Sequence, residues 1–186
     1  MDLVDLFTAK AKAVSSEVHR FDTKGEALQF ILSFLQTEEV SDRPTRYAVW
    51  TDCRFLAGLS KEQLSQAQPG LRFDVDRETS IAARIGISEM DWALADTGTL
   101  VQDATAAEQR LASSLPEIHI AIIDAERILP DMSSLFASIR AAEMPYLAFI
   151  TGPSRTADIE RVLTIGVHGP ERLVVIIIDG GEGAAT

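Results

Sequence analysis

Three apolar runs in the second half of the chain constrain its fold more than any other feature. They are Ile118–Ile123, Tyr146–Ile150 and Leu173–Ile178. A strand that is apolar along its whole length usually has both faces covered, as in a sheet between layers of helices. Helical patterns at Met132–Ala142 and Thr156–Leu163 separate the runs, and such alternation is typical of βαβ units. We therefore predict an α/β fold, a three-layer α/β/α sandwich with a mixed or mostly parallel sheet of about six strands.

The first half of the chain carries weaker signals. Apolar residues repeat at helical spacing within residues 1–40, so we predict N-terminal helices that pack on the sheet. Tyr47–Trp50 and Leu71–Val75 have the patterns of strands. Ser88-Glu-Met-Asp91 has the form of a capping box, which predicts a short helical turn.

The length of the chain suits one domain with its own core. We predict a single domain over residues 1–179 and a disordered tail over residues 180–186. No apolar run approaches the length that crosses a bilayer, and Met1-Asp-Leu-Val-Asp5 carries acid where a signal peptide carries positive charge. We therefore expect a cytoplasmic protein without membrane insertion.

Charge and cysteine content exclude several classes of function. The net charge is −11, with 28 acidic and 17 basic residues, whereas nucleic-acid binding needs a concentrated basic surface. Cys53 is the single cysteine, so the chain cannot hold an iron–sulfur cluster on four thiolates. We interpret Cys53 as a buried thiol in preference to a nucleophile. The three histidines lack close ligand spacing, so we predict no metal site.

The segment Ile150–Leu163 carries the strongest sign of a ligand site. The chain leaves an apolar run, turns at Gly152, and enters a predicted helix with Ser154 and Arg155 at its start. Free backbone N–H groups at a helix start attract anions, and a guanidinium adds a fork of donors. We predict that this segment binds a small carboxylate or phosphate. The alternative is a capped helix in which Arg155 pairs with Asp158.

A tight turn that carries Thr97, Gly98 and Thr99 is the second candidate. It lies between a predicted strand at Trp92–Ala95 and its continuation at Leu100–Val101. Loops at strand ends bind ligands in folds of this kind. Gly98 permits close backbone approach, and both threonines offer hydroxyls. The alternative is an ordinary β-hairpin turn.

His168 is the third candidate, because it lies between glycines in a polar loop before the last strand. A loop imidazole can act as an acid, a base or a donor, whereas His119 interrupts an apolar run and is interpreted as a core residue. Glu126 and Arg127 follow a strand, where acids serve as bases in several α/β enzymes, although an ion pair of Arg127 is the favoured interpretation. The catalytic residues stay unknown. We predict one anion site formed by Thr97, Gly98, Thr99, Gly152, Ser154, Arg155 and His168.

Five ordered segments carry a family resemblance. They are Gly86–Val101, Leu115–Ala121, Glu126–Pro130, Ile150–Glu160 and Gly166–Pro170. Together they resemble the lactate utilisation protein C family, whose members are built on the LUD domain. Residues 1–84 resemble the family only loosely, and the chain looks short at its N-terminal end.

The resemblance implies a fold similar to that of ribose-phosphate isomerases and CoA transferases. It also implies an accessory role in oxidising L-lactate to pyruvate beside iron–sulfur partner proteins. Those partners would hold the redox cofactors, with none in this chain. The family offers no established catalytic residue. Two other functions stay open: a free-standing enzyme of the same fold that acts on a phosphorylated or CoA-linked substrate, and an interaction scaffold without a ligand.

Overall fold

The structure, a computed structural model, describes residues 2–140, 144–155 and 169–180. The helices in these ranges are α1 (Leu3–Ala13), α2 (Lys24–Thr37), α3 (Lys61–Ala67), α4 (Arg77–Ile81), α5 (Ala107–Ser114) and α6 (Met132–Ser138). The strands are β1 (Glu17–Phe21), β2 (Tyr47–Trp50), β3 (Leu71–Arg72), β4 (Ala83–Glu89), β5 (Trp92–Leu94), β6 (Thr99–Asp103), β7 (Ile118–Asp124), β8 (Ile128–Leu129), β9 (Leu147–Ile150) and β10 (Arg172–Ile178). Short 3₁₀ helices at Arg54–Leu56 and Ala125–Arg127 follow β2 and β7. Within these ranges, no helix has both the length and the apolar character to cross a membrane.

Six of the described strands form one parallel sheet in the order β1-β10-β7-β4-β2-β3. Each strand in it runs parallel to its neighbours. β7 and β10 pair along their whole length, with Ile120 opposite Val174. The predicted α/β fold with a mostly parallel sheet is therefore confirmed.

Alternate side chains of this sheet enter two separate cores, which explains the continuous apolar runs. Ile120 and Ile122 belong to the core that includes Ile31 of α2. Ala121 and Ile123 belong to the core that includes Phe7 of α1. The sheet is thus covered on both faces, with α2 and α3 on one side and α1 on the other.

Four other described strands form a second sheet in the order β8-β5-β6-β9. The predicted strands and turn around Thr97 to Thr99 form the antiparallel hairpin β5–β6. The βαβ arrangement predicted for the Tyr146–Ile150 run is wrong, because β9 pairs antiparallel with β6 at the end of this second sheet. Apolar character shows that a strand is covered but not which layer covers it. Leu100 of the second sheet packs into the α1 core, while Leu135 of α6 covers its outer face.

The N-terminal region contains strand β1 between α1 and α2, where helix alone was predicted. β1 pairs with β10 at the edge of the parallel sheet, and none of its side chains is fully buried. An edge strand of this kind needs little apolar surface, so its sequence shows no strong pattern. Thr23 then caps α2 in a capping box with Glu26.

Ser88 lies in strand β4, so the helical turn predicted from its capping-box pattern is wrong. Its Oγ lies 2.9 Å from Nε2 of His119 on the neighbouring strand β7. The carboxylate of Asp91 accepts a hydrogen bond of 2.8 Å from the backbone N–H of Asp103. Partners distant along the chain thus replace the local capping bonds. The predicted strand at Leu71–Val75 is shorter than expected, because β3 pairs with β2 over only two positions.

Several predictions lie outside the described residues. They are the helix at Thr156–Leu163, the placement of His168 and the tail over residues 181–186. The predicted helix from Met132 corresponds to α6, which ends at Ser138.

Candidate functional site

Three threonine hydroxyls meet where the β5–β6 hairpin lies beside the end of β9. Oγ1 of Thr99 lies 2.8 Å from Oγ1 of Thr97 and 2.8 Å from Oγ1 of Thr151. Thr151 directly follows β9, in which Ile150 is paired with Leu100 of β6. The two predicted ligand segments therefore lie side by side, and Thr151 is the residue that joins them.

The two glycines of these segments contact the end of helix α1. Gly98 has φ of 69° and Gly152 has φ of 73°, a region that favours glycine. A Cβ on Gly98 would lie 2.4 Å from the backbone N of Ala11, and a Cβ on Gly152 would lie 2.3 Å from the carbonyl O of Val14. The backbone that comes close to both glycines is therefore that of α1 and the residue after it.

Ser154 and Arg155 follow this contact. The backbone N–H of Ser154 donates a hydrogen bond of 2.8 Å to the carbonyl O of Pro170. Nη2 of Arg155 donates to Oγ of Ser15 at 3.1 Å, and the arginine is exposed to solvent. A guanidinium has several N–H donors, so Arg155 can pair with an anion while keeping this hydrogen bond.

All of these residues lie at the amino-terminal edge of the parallel sheet. α1 ends at Ala13, shortly before β1 begins, and Pro170 comes shortly before β10. In open α/β sheets, ligands bind outside the carboxyl ends of the strands, at the point where the strand order reverses. The described residues of the predicted anion site therefore lie at the opposite edge from the position that this rule favours.

The strand order reverses between β2 and β4. After β2 the chain continues outward to the edge strand β3, whereas β4 leads back toward β7 on the other side. Charged residues from both strand ends meet here. Nε of Arg54, which follows β2, donates a hydrogen bond of 2.7 Å to Oε1 of Glu89, the last residue of β4. Oε2 of Glu89 accepts a hydrogen bond of 2.8 Å from the backbone N–H of Phe55.

Asp91 lies next to this ion pair. Its Oδ1 is 4.0 Å from Nη1 of Arg54, and its side chain is 29% exposed. Burial raises the pKa of the Asp91 carboxyl, and the nearby negative charge of Asp103 raises it too. The hydrogen bond from the Asp103 backbone and the charges of Arg54 and Arg127 oppose this shift without cancelling it. Asp91 is therefore a carboxyl group that takes up a proton more readily than an exposed one.

Arg127 is the second cation at this edge. Nη1 of Arg127 lies 3.4 Å from the carbonyl O of Asp91, and its Nε lies 3.7 Å from Oδ2 of Asp124. Both distances exceed the value of about 2.9 Å typical of charge-assisted hydrogen bonds. The side chain is 35% exposed, so within the described part of the chain the guanidinium is loosely held and open to solvent. We call Arg54, Glu89, Asp91, Asp124 and Arg127 the switch-point cluster.

Gln102 of β6 is buried beside the switch-point cluster, with 1% of its surface exposed. Its Nε2 donates hydrogen bonds of 3.0 Å to the carbonyl O of Glu89 and 2.7 Å to Oε1 of Gln109. Its Oε1 is buried without a hydrogen-bond partner in the described part of the chain. Buried acceptors of this kind are uncommon in folded proteins.

From the sequence, Arg127 was assigned to an ion pair and Asp91 to a capping box, and no residue of the switch-point cluster was assigned to a ligand site. A signal for its three carboxylates was present, because Glu89, Asp91 and Asp124 all come at or just after the end of a strand. Their convergence depends on strand order, which the sequence does not display.

Neither Cys53 nor His119 has the properties of a catalytic group. Burial raises the pKa of the Cys53 thiol to about 11, which keeps it protonated at neutral pH. His119 is fully buried, and burial lowers its pKa to about 4. Among residues 2–140, 144–155 and 169–180, no group of His, Cys, Asp and Glu side chains has the arrangement of a metal site.

A parallel sheet with helices on one face, and a helix and a second sheet on the other, defines a layered α/β domain. The crystal structure of a DUF162 family protein from Deinococcus radiodurans shares this fold, with a TM-score of 0.65 and 18% identity over 95% of this chain and 96% of that one. The sequence profile of the LUD domain matches residues 4–178. The chain therefore belongs to the LUD domain family.

Individual relatives carry the name lactate utilization protein C. The protein from Halalkalibacterium halodurans is 32% identical over 189 residues, covering 95% of this chain and 79% of that protein. The protein from Exiguobacterium sp. is 38% identical over 111 residues, covering 56% of this chain and 48% of its own length. The chain thus spans about half the length of several of the curated relatives that it matches.

Proposed function

We propose that this chain acts in the utilisation of L-lactate, as a cytoplasmic accessory subunit beside iron–sulfur partner proteins. The observation that carries this proposal is the 32% identity to the lactate utilization protein C of H. halodurans across 79% of that protein. Cys53 is the single cysteine of the chain, so clusters held by four thiolates belong to partner proteins.

The proposed role includes the binding of a small carboxylate or phosphate at the amino-terminal edge of the sheet. The shared hydroxyl contacts of Thr99 with Thr97 and Thr151 support this site, as does the exposed guanidinium of Arg155 beside Ser15. Hydroxyl and guanidinium donors together suit an anionic ligand. The described residues of the proposed site are Thr97, Gly98, Thr99, Gly152, Ser154 and Arg155. His168 is proposed as a further member and lies outside the described residues.

Growth on L-lactate tests the role in the cell. Deletion of the gene should abolish growth on L-lactate as sole carbon source and leave growth on glucose unchanged, and the intact gene should restore it. A tagged chain should co-purify with cysteine-rich iron–sulfur proteins. Normal growth of the deletion strain on L-lactate would overturn the proposal.

Calorimetry with L-lactate, pyruvate and phosphate tests the anion site. Arg155→Ala should weaken binding about tenfold or more, because it removes a charged hydrogen bond worth about 1.5–3 kcal/mol. Arg77→Ala is the matched control, since Arg77 is also an exposed arginine but lies on α4. Equal affinities in the two variants would count against the site. Turnover of a phosphorylated or CoA-linked substrate by the purified chain would favour the free-standing enzyme instead.

A further inference from the structure

The switch-point cluster lies at the carboxyl edge of the sheet, opposite the anion site proposed above. We propose that it is a second ligand site, which binds a small carboxylate through Arg127 with Asp91 beside the bound group. The two edges are distinct because α1 and Pro170 mark the amino ends of β1 and β10, whereas Glu89 ends β4. The position is the one at which open α/β sheets bind ligands, between strands whose connections leave in opposite directions.

The two arginines of the switch-point cluster differ in how tightly the protein holds them. Arg54 donates a hydrogen bond of 2.7 Å to the buried carboxylate of Glu89 and another of 3.3 Å to the carbonyl O of Met90. Among the described residues, Arg127 contacts the carbonyl O of Asp91 at 3.4 Å and Oδ2 of Asp124 at 3.7 Å. A guanidinium prefers a bidentate carboxylate partner at shorter distances. Arg127 is therefore the group that gains most from a bound carboxylate, while Arg54 holds the edge together.

Gln102 provides independent evidence for a ligand at this place. Its amide is anchored to the carbonyl of Glu89, and its buried Oε1 has no hydrogen-bond partner among the described residues. Gln102 also directly precedes Asp103, whose N–H holds the Asp91 carboxylate. A buried acceptor in this position favours a ligand that brings its own donor beside its carboxylate, so we infer a hydroxycarboxylate as the ligand class.

The charges around Asp91 couple binding to protonation. Among the described residues, Arg54, Arg127 and Asp103 act on Asp91, and the carboxylates of Glu89 and Asp124 act on Arg54 beside it. With Asp91 ionised, carboxylates outnumber the two guanidinium groups, so a further anion repels the Asp91 charge. A bound carboxylate should raise the pKa of Asp91 further, and its affinity should fall as the pH rises and Asp91 loses its proton.

Nuclear magnetic resonance of the full chain tests this site, because the Asp103 amide is hydrogen-bonded to Oδ2 of Asp91 and reports on its protonation. With L-lactate as the probe, the midpoint of the Asp103 amide titration should move to higher pH, and pyruvate, which has no hydroxyl donor, should bind more weakly. Arg127→Gln should weaken their binding about tenfold or more. Asp91→Asn should retain binding and lose its pH dependence. Arg155→Gln, at the other edge, should leave the Asp103 response unchanged.

The opposite results overturn this proposal. They can be distinguished from a failure of the anion site at the amino-terminal edge of the sheet. If L-lactate and pyruvate at millimolar concentration leave the Asp103 titration unchanged, the switch-point cluster is not a carboxylate site. Unchanged affinity at this site in Arg127→Gln has the same consequence, and Arg127→Lys provides a second variant if the first one unfolds. Equal binding of inorganic phosphate would replace the carboxylate class with a general anion site. A loss of the Asp103 response in Arg155→Gln alone would place binding at the amino edge.

Discussion

Nε of Arg54 lies 2.7 Å from Oε1 of Glu89, and this contact joins the 3₁₀ helix after β2 to the end of β4. The Glu89 side chain is only 6% exposed, whereas that of Arg54 is 38% exposed. A buried carboxylate depends on its partner, because removal of the partner leaves an uncompensated charge in a poorly solvated place. The ion pair therefore stabilises the sheet edge at which the strand order reverses.

Arg54→Ala should lower the free energy of unfolding by about 2–3 kcal/mol, somewhat less than for a fully buried pair because Arg54 is partly exposed. Urea denaturation followed by circular dichroism measures the change. Arg46→Ala is the matched control, since Arg46 pairs with the 77% exposed Glu39 and should lose less than about 1 kcal/mol. Equal losses in the two variants would show that the Glu89 carboxylate does not depend on Arg54.

Glu38 should contribute more to stability than its neighbour Glu39. Its carboxylate accepts hydrogen bonds of 2.6 Å from Nη1 of Arg172 and 2.9 Å from Nη2 of Arg84. Burial alone raises the pKa of Glu38, but the bonds from Arg172 and then Arg84 outweigh it and lower the pKa. Glu38→Gln should therefore cost about 2 kcal/mol at neutral pH.

Glu39→Gln provides the control and should change the stability by less than about 0.5 kcal/mol. The Glu38 contribution is present above the ordinary glutamate pKa of 4.5 and is lost as the pH falls through the lowered pKa of the folded state. Urea denaturation between pH 3 and pH 7 checks both the size and the direction of the effect. A difference between wild type and Glu38→Gln that does not shrink in acid would contradict the assigned cause.

Gly98→Ala should destabilise the chain more than Gly58→Ala, although both glycines have positive φ. A Cβ on Gly98 would lie 2.4 Å from the backbone of Ala11, whereas a Cβ on Gly58 meets nothing within 4 Å. Both variants pay about 1 kcal/mol for the left-handed conformation, and the clash at Gly98 adds about 1–3 kcal/mol. Thermal unfolding of the two variants measures the difference, and equal melting temperatures would show that α1 moves away without cost.

Wild-type stability should decline between pH 6.5 and pH 4 because of His119. Burial lowers the pKa of His119 from 6.5 to about 4, so in this range the unfolded chain binds a proton that the folded chain excludes. The loss should approach about 3 kcal/mol at pH 4. His119→Gln should remove it, whereas His19→Gln should remove less, since His19 is only partly buried. A pH profile of His119→Gln that matches wild type would refute this origin.

The class of fold was predictable because it depends on local patterns. In Ile118–Ile123 and Leu173–Ile178, the side chains that point to either face of the strand are almost all apolar. Both runs form central strands that are covered on two faces. The tight turn at Gly98 was predictable for the same reason, since its residue types suit a hairpin. Strand β1 was missed because an edge strand with Glu17, His19 and Arg20 lacks such a pattern.

The candidate site was predictable only in part. Two segments separated along the chain were assigned to one place, and the contact between Thr99 and Thr151 places them side by side. Their neighbours were not predictable, because the packing of Gly98 and Gly152 against α1 depends on how the layers are assembled. Whether Arg155 binds an anion stays a prediction.

The sequence by itself determined a parallel α/β domain, its family and the residues able to carry charge. Only the tertiary structure decided that Arg54, Glu89, Asp91 and Arg127 meet at the carboxyl edge, while Arg155 and Ser15 meet at the amino edge. The physical reason is that apolar periodicity is a property of consecutive residues. The order of the strands, and the sheet edge at which a residue lies, depend instead on contacts between residues far apart in the chain. No local pattern contains that information.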